Sequence, residues 1–297
     1  MDNEKIYISK KDLLKFLNIK DNFLYPKFST KYSTLELPKK NGGFRTIKPP
    51  HYNLKKIQRK ILDDILYKHK QLNCVYGLSK EKGIRGNAIE HSKNVNLQLV
   101  ILDIENFFPT ISYKDVIKIF KKIGFSKENS NVLKKLCTID DSLPQGAPTS
   151  PYLASMVCFN LDKEIYIYCK RRSFVYTRYF DDISISGKNI LPIHIKQIEN
   201  IIKKYGFKCN ESKRKIFDCN SDKIIDSVLI KNSGLSVTDS YKNEIVDYYR
   251  ILINDDNLQN KKAFSGKFGF YLHINKKEAI LFLQKLKIDH LRIPDIH

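Results

Sequence analysis

The chain has 297 residues, 42% of them hydrophobic and 11% aromatic, and its 53 Lys and Arg against 32 Asp and Glu leave a net charge of +21. That composition buries a real core and excludes a disordered basic tail, so the excess charge lies on a folded surface. It faces nucleic acid or acidic lipid, or else reflects a Lys-rich proteome. No apolar run approaches a membrane span and the first residues lack a signal-peptide layout, so a soluble, cytoplasmic protein is expected. The six cysteines show no zinc spacing and read as reduced thiols, and the HExxH and GxxxxGK[ST] patterns are missing.

Taken in chain order, Ser9 caps an expected helix over Lys10 to Ile19. Thr34 to Pro38 and Phe44 to Ile47, around Asn41-Gly42-Gly43, read as an exposed basic hairpin. Asn53 to Lys70 repeats apolar residues at helical spacing with Lys and Arg on the other face. Leu97 to Ile104 is a continuous apolar run closing on Asp103, as a buried strand looks. Tyr113 to Ile123 and Lys127 to Leu136 are expected helices parted by Gly124. Leu143 to Pro151 is too rich in Pro and Gly to be regular, and a helix from Tyr152 to Lys170 follows it. Phe174 to Tyr179 and Ile183 to Ser186 alternate as a hairpin whose tip is Asp181-Asp182. Ile193 to Tyr205 is a helix, Ile224 to Val237 a further hairpin, and three helices follow over Tyr241 to Ile253, Leu258 to Tyr271 and Lys276 to Leu286.

Asp103 ends an apolar strand and Asp181-Asp182 sit between Tyr179-Phe180 and Ile183. Carboxylates there repel and lose hydration, so each needs a cation. Mg²⁺ prefers oxygen ligands and is commonly held by a few carboxylates plus substrate phosphates. Two such ions about 4 Å apart serve an in-line displacement that releases pyrophosphate. Otherwise Asp103 caps a turn and the pair is a solvated hairpin tip.

The order Asp103 with Phe107-Phe108-Pro109, then Leu143-Pro144-Gln145-Gly146-Ala147-Pro148-Thr149-Ser150-Pro151, then Tyr176-Thr177-Arg178-Tyr179-Phe180-Asp181-Asp182 resembles motifs A, B and C of reverse transcriptases. The resemblance implies an α+β fold of right-hand polymerase architecture: fingers, a palm of antiparallel sheet plus helices, and a C-terminal, mainly helical thumb. Residues 1-30 would form an N-terminal helical extension, 31-225 the fingers and palm, and 226-297 the thumb. It implies that Asp103, Asp181 and Asp182 bind two Mg²⁺ ions and that Phe108 is a steric gate against a ribose 2′-OH, with Phe107 the better core residue. Gln145 and Gly146 would lie along the nascent pair, and Arg45, with Lys39 or Lys40, would hold the dNTP triphosphate. Lys213 would protonate the pyrophosphate as a catalytic general acid, or is one more member of Lys213-Arg214-Lys215.

Gly86-Asn87-Ala88-Ile89-Glu90-His91 matches the NAxxH element of retron reverse transcriptases, which makes Asn87 and His91 RNA-binding candidates, or a hydrogen-bonded pair that steadies a loop. Two departures stand out. Ile225-Asp226-Ser227-Val228-Leu229-Ile230 occupies the place of the retron VTG element, and Phe180 stands where retrons commonly carry Ala, pressing on the primer terminus or repacking the hairpin. The resemblance covers Thr34 to Lys215. It implies reverse transcription of part of a cognate structured non-coding RNA, primed from an RNA 2′-OH, into branched RNA–DNA (msDNA), with a separate effector protein in anti-phage defence. A stand-alone defence or group II intron type of reverse transcriptase is the second expectation, and a non-catalytic RNA-binding scaffold the third. The length after motif D leads to the expectation of no maturase or RNase H domain. The basic cleft is expected along Lys39, Lys40, Arg45 and Lys48 on one side and Lys261, Lys262 and Lys267 on the other. Lys55, Lys56, Arg59 and Lys60 are expected to hold folded RNA outside it.

Overall fold

The structure is a computed structural model that describes residues 8–24, 31–38, 42–79, 81–93 and 97–291. Its centre is β4 (Gln98–Asp103), and the reason is its continuous apolar run. Leu102 and Val100 face one core, Leu99 and Ile101 a second, so both faces of the strand are buried. β4 pairs antiparallel with β6 (Asp182–Gly187) and β7 (Lys215–Phe217), β6 with β5 (Val175–Tyr179), and β5 runs parallel to the short β3 (Val75–Tyr76). The resulting order is β3-β5-β6-β4-β7, an antiparallel palm sheet with one parallel edge strand.

The larger core lies between this sheet and the helices around it. α5 (Tyr113–Ile123) begins in a capping box, Ser112 with Asp115, buries Val116, Ile119, Phe120 and Ile123, and ends at Gly124 with a φ of 117°. α6 (Lys127–Cys137) packs on it, and α9 (Pro192–Lys204) follows the palm hairpin. The single helix expected over Tyr152 to Lys170 is two, α7 (Ser150–Val157) and α8 (Phe159–Lys170), parted at the buried Cys158. The halves serve different neighbours: α7 packs on α5, α8 on β5 and α9.

Ahead of the palm, Ser9 caps α1 (Lys10–Phe16), which is shorter than expected. β1 (Leu35–Pro38) and β2 (Phe44–Ile47) form the expected exposed hairpin in the register Leu35↔Ile47 to Pro38↔Phe44. α2 (Tyr52–Asp64) buries Leu54, Ile57, Gln58, Ile61 and Leu62. α3 (Ile84–Ser92), whose buried face is Asn87, Ala88 and His91, has no counterpart in the expected elements. The short α4 (Phe107–Thr110) follows Asp103.

Beyond β7 the expected hairpin is a three-stranded antiparallel sheet, β8 (Lys223–Ile225), β9 (Val228–Lys231) and β10 (Gly234–Val237). The sequence boundary at 225/226 therefore falls inside one sheet. The second core joins β4, this sheet, α3 and the C-terminal helices α10 (Asp239–Asn254), α11 (Leu258–Ile274) and α12 (Lys276–Leu291) through Ile225, Val228, Phe268 and Tyr271. Among the described residues no helix is long and apolar enough to cross a membrane.

Candidate active site

β4 delivers Asp103 and β6 starts at Asp182, and the two are direct partners in the β4–β6 register. The Ile104 amide donates to the Asp181 carbonyl at 2.9 Å, and the Asn210 amide to the Asp103 carbonyl at 2.8 Å, which fastens the loop after α9 to the same strand end. The three carboxylates expected to act together thus share one end of the palm sheet. Asp103 is 6% exposed and accepts from Lys213 Nζ at 2.8 Å. That hydrogen bond raises the Lys213 pKa, so the ammonium that partners Asp103 holds its proton more firmly than a free lysine.

The aspartate pair is electrostatically incomplete. Burial first, then the Asp103 charge, raises the Asp181 carboxyl. Asp182 is pushed well above the usual carboxylate range, again by burial first, then by Asp226 and Asp181. Asp226 is a site residue that the motif comparison missed. It lies in the β8–β9 turn with a left-handed φ of 46°, next to Ser227 at 71°, and its carboxyl is hydrogen-bonded to Asp182 across two sheets. Its only sequence signal was the departure from the VTG element. Crowded carboxylates with raised pKa suit hard divalent cations, which Asp103, Asp181 and Asp182 would ligate. As they stand, no three His, Cys, Asp or Glu side chains among the described residues are gathered closely enough to hold a metal, and Asp103 is hydrogen-bonded to Lys213.

Beside the carboxylates opens a cavity of about 550 Å³. Phe108, Gln145, Gly146 and Asp181 line it, so the expected gate, loop and metal residues converge. Arg45 enters from β2, and from α2 come Lys55 and Arg59, one helical turn apart. The expectation that Lys55 and Arg59 hold RNA outside the cleft is thereby corrected: they border the same cavity as Asp181. Lys48 is paired with Asp140, and Lys39 and Lys40 lie outside the described residues. On the C-terminal helices Lys261 pairs with Asp256 at 3.0 Å, Lys267 pairs with Glu244, and Lys262 is exposed.

Phe108 is half-buried with its ring against Phe107, 5.3 Å between centroids, and Phe107 is the buried member as expected. Gly146 has φ +111°, and a Cβ there would meet Ile47 Cγ2 at 2.7 Å. The tight approach is therefore to the β2 end of the hairpin, which the Lys48 amide also ties to the Gln145 carbonyl at 2.8 Å. Phe180 is left-handed at φ 53°. Its ring packs on Tyr179 at 4.7 Å, would collide with any Cβ at Gly77, at 2.8 Å, and also edges the cavity.

Under the tip lies a buried ion pair. Arg178, 1% exposed, donates from Nε and a terminal nitrogen to the two oxygens of Asp162 on α8 at 2.7 and 2.6 Å. Its other terminal nitrogen donates to the Phe180 carbonyl at 2.8 Å, and Tyr176 Oη donates to Asp162 at 2.7 Å. The Phe180–Asp181 turn is thus anchored to α8.

Asn87 and His91 are not placed to touch RNA. They are 0% and 2% exposed, with His91 Nδ1 at 2.8 Å from Ser186 Oγ and Nε2 at 2.8 Å from Thr177 Oγ1, and Thr177 donates to Asn87. Burial pushes His91 down to about 3, so it stays neutral. The pair steadies α3 against β5 and β6, the alternative that the sequence left open.

Residues 37–248 match the reverse transcriptase (RNA-dependent DNA polymerase) family. Retron Ec86 reverse transcriptase of Escherichia coli is 28% identical over 88% of this chain and 82% of its own length. Retron Se72 reverse transcriptase of Salmonella heidelberg is 34% identical over 60% and 48%, and retron Ec73 reverse transcriptase of E. coli 31% over 64% and 65%. A solved structure of telomerase from Candida albicans, in complex with a fragment of telomeric RNA, aligns over 92% of this chain and 58% of its own. Its TM-score is 0.51 at 10% identity, a likeness of fold. The palm sheet with carboxylates at its strand ends is accordingly that of a right-hand polymerase, and the chain belongs to the reverse transcriptase family, as an RNA-directed DNA polymerase of the retron type.

Proposed function

We propose that this polymerase reverse transcribes part of a cognate structured non-coding RNA, primed from a 2′-OH of that RNA, into a branched RNA–DNA molecule. The observation that carries the chemistry is the placement of Asp103, Asp181 and Asp182 at one end of the palm sheet, with Asp181 lining a cavity that Arg45, Phe108, Gln145 and Gly146 also line.

In this reading Asp103, Asp181 and Asp182 hold two Mg²⁺ ions, which when bound activate the attacking hydroxyl and neutralise charge at the leaving pyrophosphate. Arg45, Lys55 and Arg59 hold the dNTP triphosphate by charge-assisted hydrogen bonds. Phe108 stands where a ribose 2′-OH would enter and excludes it. Gln145 positions the nascent pair, while Gly146 lets the β1–β2 hairpin close over it. Lys213, released from Asp103, carries the proton to the departing pyrophosphate. The Arg178 contact to the Phe180 carbonyl keeps Asp181 and Asp182 at the chemistry. The biological setting proposed is anti-phage defence with a separate effector protein, which rests on the retron relatives.

The test is to purify the protein from its host with its native locus and sequence the nucleic acid that comes with it. DNA joined to RNA through a 2′–5′ branch is expected. A polymerase that carries only linear cDNA would sink the priming proposal and favour another class of reverse transcriptase.

A further inference from the structure

α2 divides two cavities. Lys55 and Arg59 turn toward the nucleotide cavity, whereas Lys56 and Lys60, each one position further round the helix, line a larger notch of about 690 Å³ between α2 and the end of α1. Phe16, Phe23 and Lys20 close it from the α1 side, and Asn22 and Asn53 offer amide groups at its rim. Phe16 is 41% exposed, with Lys60 Nζ 4.4 Å from its ring centroid, and Lys31 Nζ lies 3.6 Å from the Phe23 centroid. Lys60 is also paired with Asp64 at 2.7 Å, so Lys20 and Lys56 are the cations that count here. Among the described residues no carboxylate is part of the lining itself, Asp64 lying outside it as the partner of Lys60.

That inventory is the chemistry of unpaired nucleotides. Aromatic faces stack bases of any sequence, lysines track the phosphates, and amides hydrogen-bond base edges that are exposed only in single strands. The notch shares α2 with the site where the incoming nucleotide would bind, on the outer side of the fingers. We propose that it is a second RNA site, which holds unpaired nucleotides of the RNA ahead of the catalytic cavity. The proposal rests on the reading that this chain copies RNA.

The experiment uses the full chain and a fluorescein-labelled 12-nucleotide single-stranded RNA, read by anisotropy. In parallel, single-nucleotide incorporation is followed on an RNA–DNA duplex with a one-nucleotide template overhang. Phe16→Ala with Lys56→Ala is expected to weaken the 12-mer about tenfold or more and to lower its salt slope by about 0.7 for the lysine removed. Incorporation on the short overhang should be unchanged, because neither side chain borders the nucleotide cavity. Should the double variant melt early, Lys56→Glu, at an exposed position, carries the same expectation alone. Affinity within twofold of the parent, or 4-thiouridine crosslinks that avoid residues 16–23 and 53–60, would overturn the second site. If the parent fails to extend the short overhang, the polymerase reading fails instead, and the two failures are distinct.

Discussion

The Asp162–Arg178 pair offers the sharpest test of how the catalytic turn is held. Both side chains are essentially without exposure, and Asp162 accepts three hydrogen bonds, two from Arg178 and one from Tyr176. Asp162→Ala strands a buried guanidinium, and breaking such a pair from one side costs about 3–5 kcal/mol. In a chain of this size that lowers the melting temperature by about 10 °C. Replacing both partners, Asp162→Leu with Arg178→Met, removes the unpaired charge and should restore most of the loss, since well-packed apolar substitutes for buried ion pairs are often neutral. Activity should not return with it. The double variant still lacks the donor that holds the Phe180 carbonyl at 2.8 Å, and Phe180 keeps its left-handed φ of 53° only under constraint. Thermal unfolding and single-nucleotide incorporation on an RNA template are measured on the same preparations. A double variant with restored melting and parental incorporation would refute the anchoring role. An Asp162→Ala protein that melts within about 2 °C of the parent would refute the energetic reasoning itself.

Asp181→Asn with Asp182→Asn should abolish incorporation while RNA affinity, supplied mainly by basic contacts, changes little in filter binding. Phe108→Ala should raise incorporation of ribonucleotides relative to deoxynucleotides by about 10- to 100-fold in competition assays, the scale of a pocket gaining or losing a small group. Gly146→Ala meets both a φ of +111° and Ile47, and should cost about 1–3 kcal/mol in denaturant unfolding along with loss of nucleotide affinity. Asp226→Asn bears on pH. The carboxyls of Asp182 and Asp226 are raised on folding, so the folded protein holds protons that the unfolded chain releases, and without divalent metal their contribution is lost as pH rises above the unfolded value of about 4. In chelator, Asp226→Asn should therefore melt above the parent at pH 8 and lose that lead toward pH 5; an equal gap at both values would contradict the contact. Comparing the two proteins cancels His91, whose lowered pKa acts with the opposite sign in both.

What the sequence disclosed and what it hid follow from the range of the forces involved. β4 was plain because burial on both faces makes an uninterrupted apolar run, and α5 because Val116, Ile119, Phe120 and Ile123 repeat at helical spacing before Gly124. α3 was hidden for the converse reason. Its buried face is built from Asn87 and His91, satisfied by Thr177 and Ser186 far along the chain, so no apolar period marks it. α2 shows a third case. Its apolar stripe marks which residues are outward, but not which flank of the outward side turns to the cleft, and so Lys55 and Arg59 were assigned with Lys56 and Lys60. Asp226 needs the meeting of two sheets, 44 positions from Asp182, which local pattern does not encode. The carboxylates proposed for catalysis are legible only through motif order, since each acidic site alone fits a solvated turn.

The charge of +21 and the acidic site are two parts of one design. Asp226 in the β8–β9 turn joins Asp103, Asp181 and Asp182 at the end of the palm sheet, where Lys213 is hydrogen-bonded to Asp103, while Arg45, Lys55 and Arg59 line the cavity that Asp181 borders. In the proposed reading a triphosphate in that space would meet guanidinium and ammonium groups from β2 and α2 and a carboxylate from the palm, and divalent cations held by the carboxylates would offset the repulsion between them and the phosphates. The buried Arg178–Asp162 pair then has a definite purpose. It holds the tip of the hairpin against the mutual repulsion of the aspartates, from below and out of reach of solvent, where neither salt nor substrate screens it.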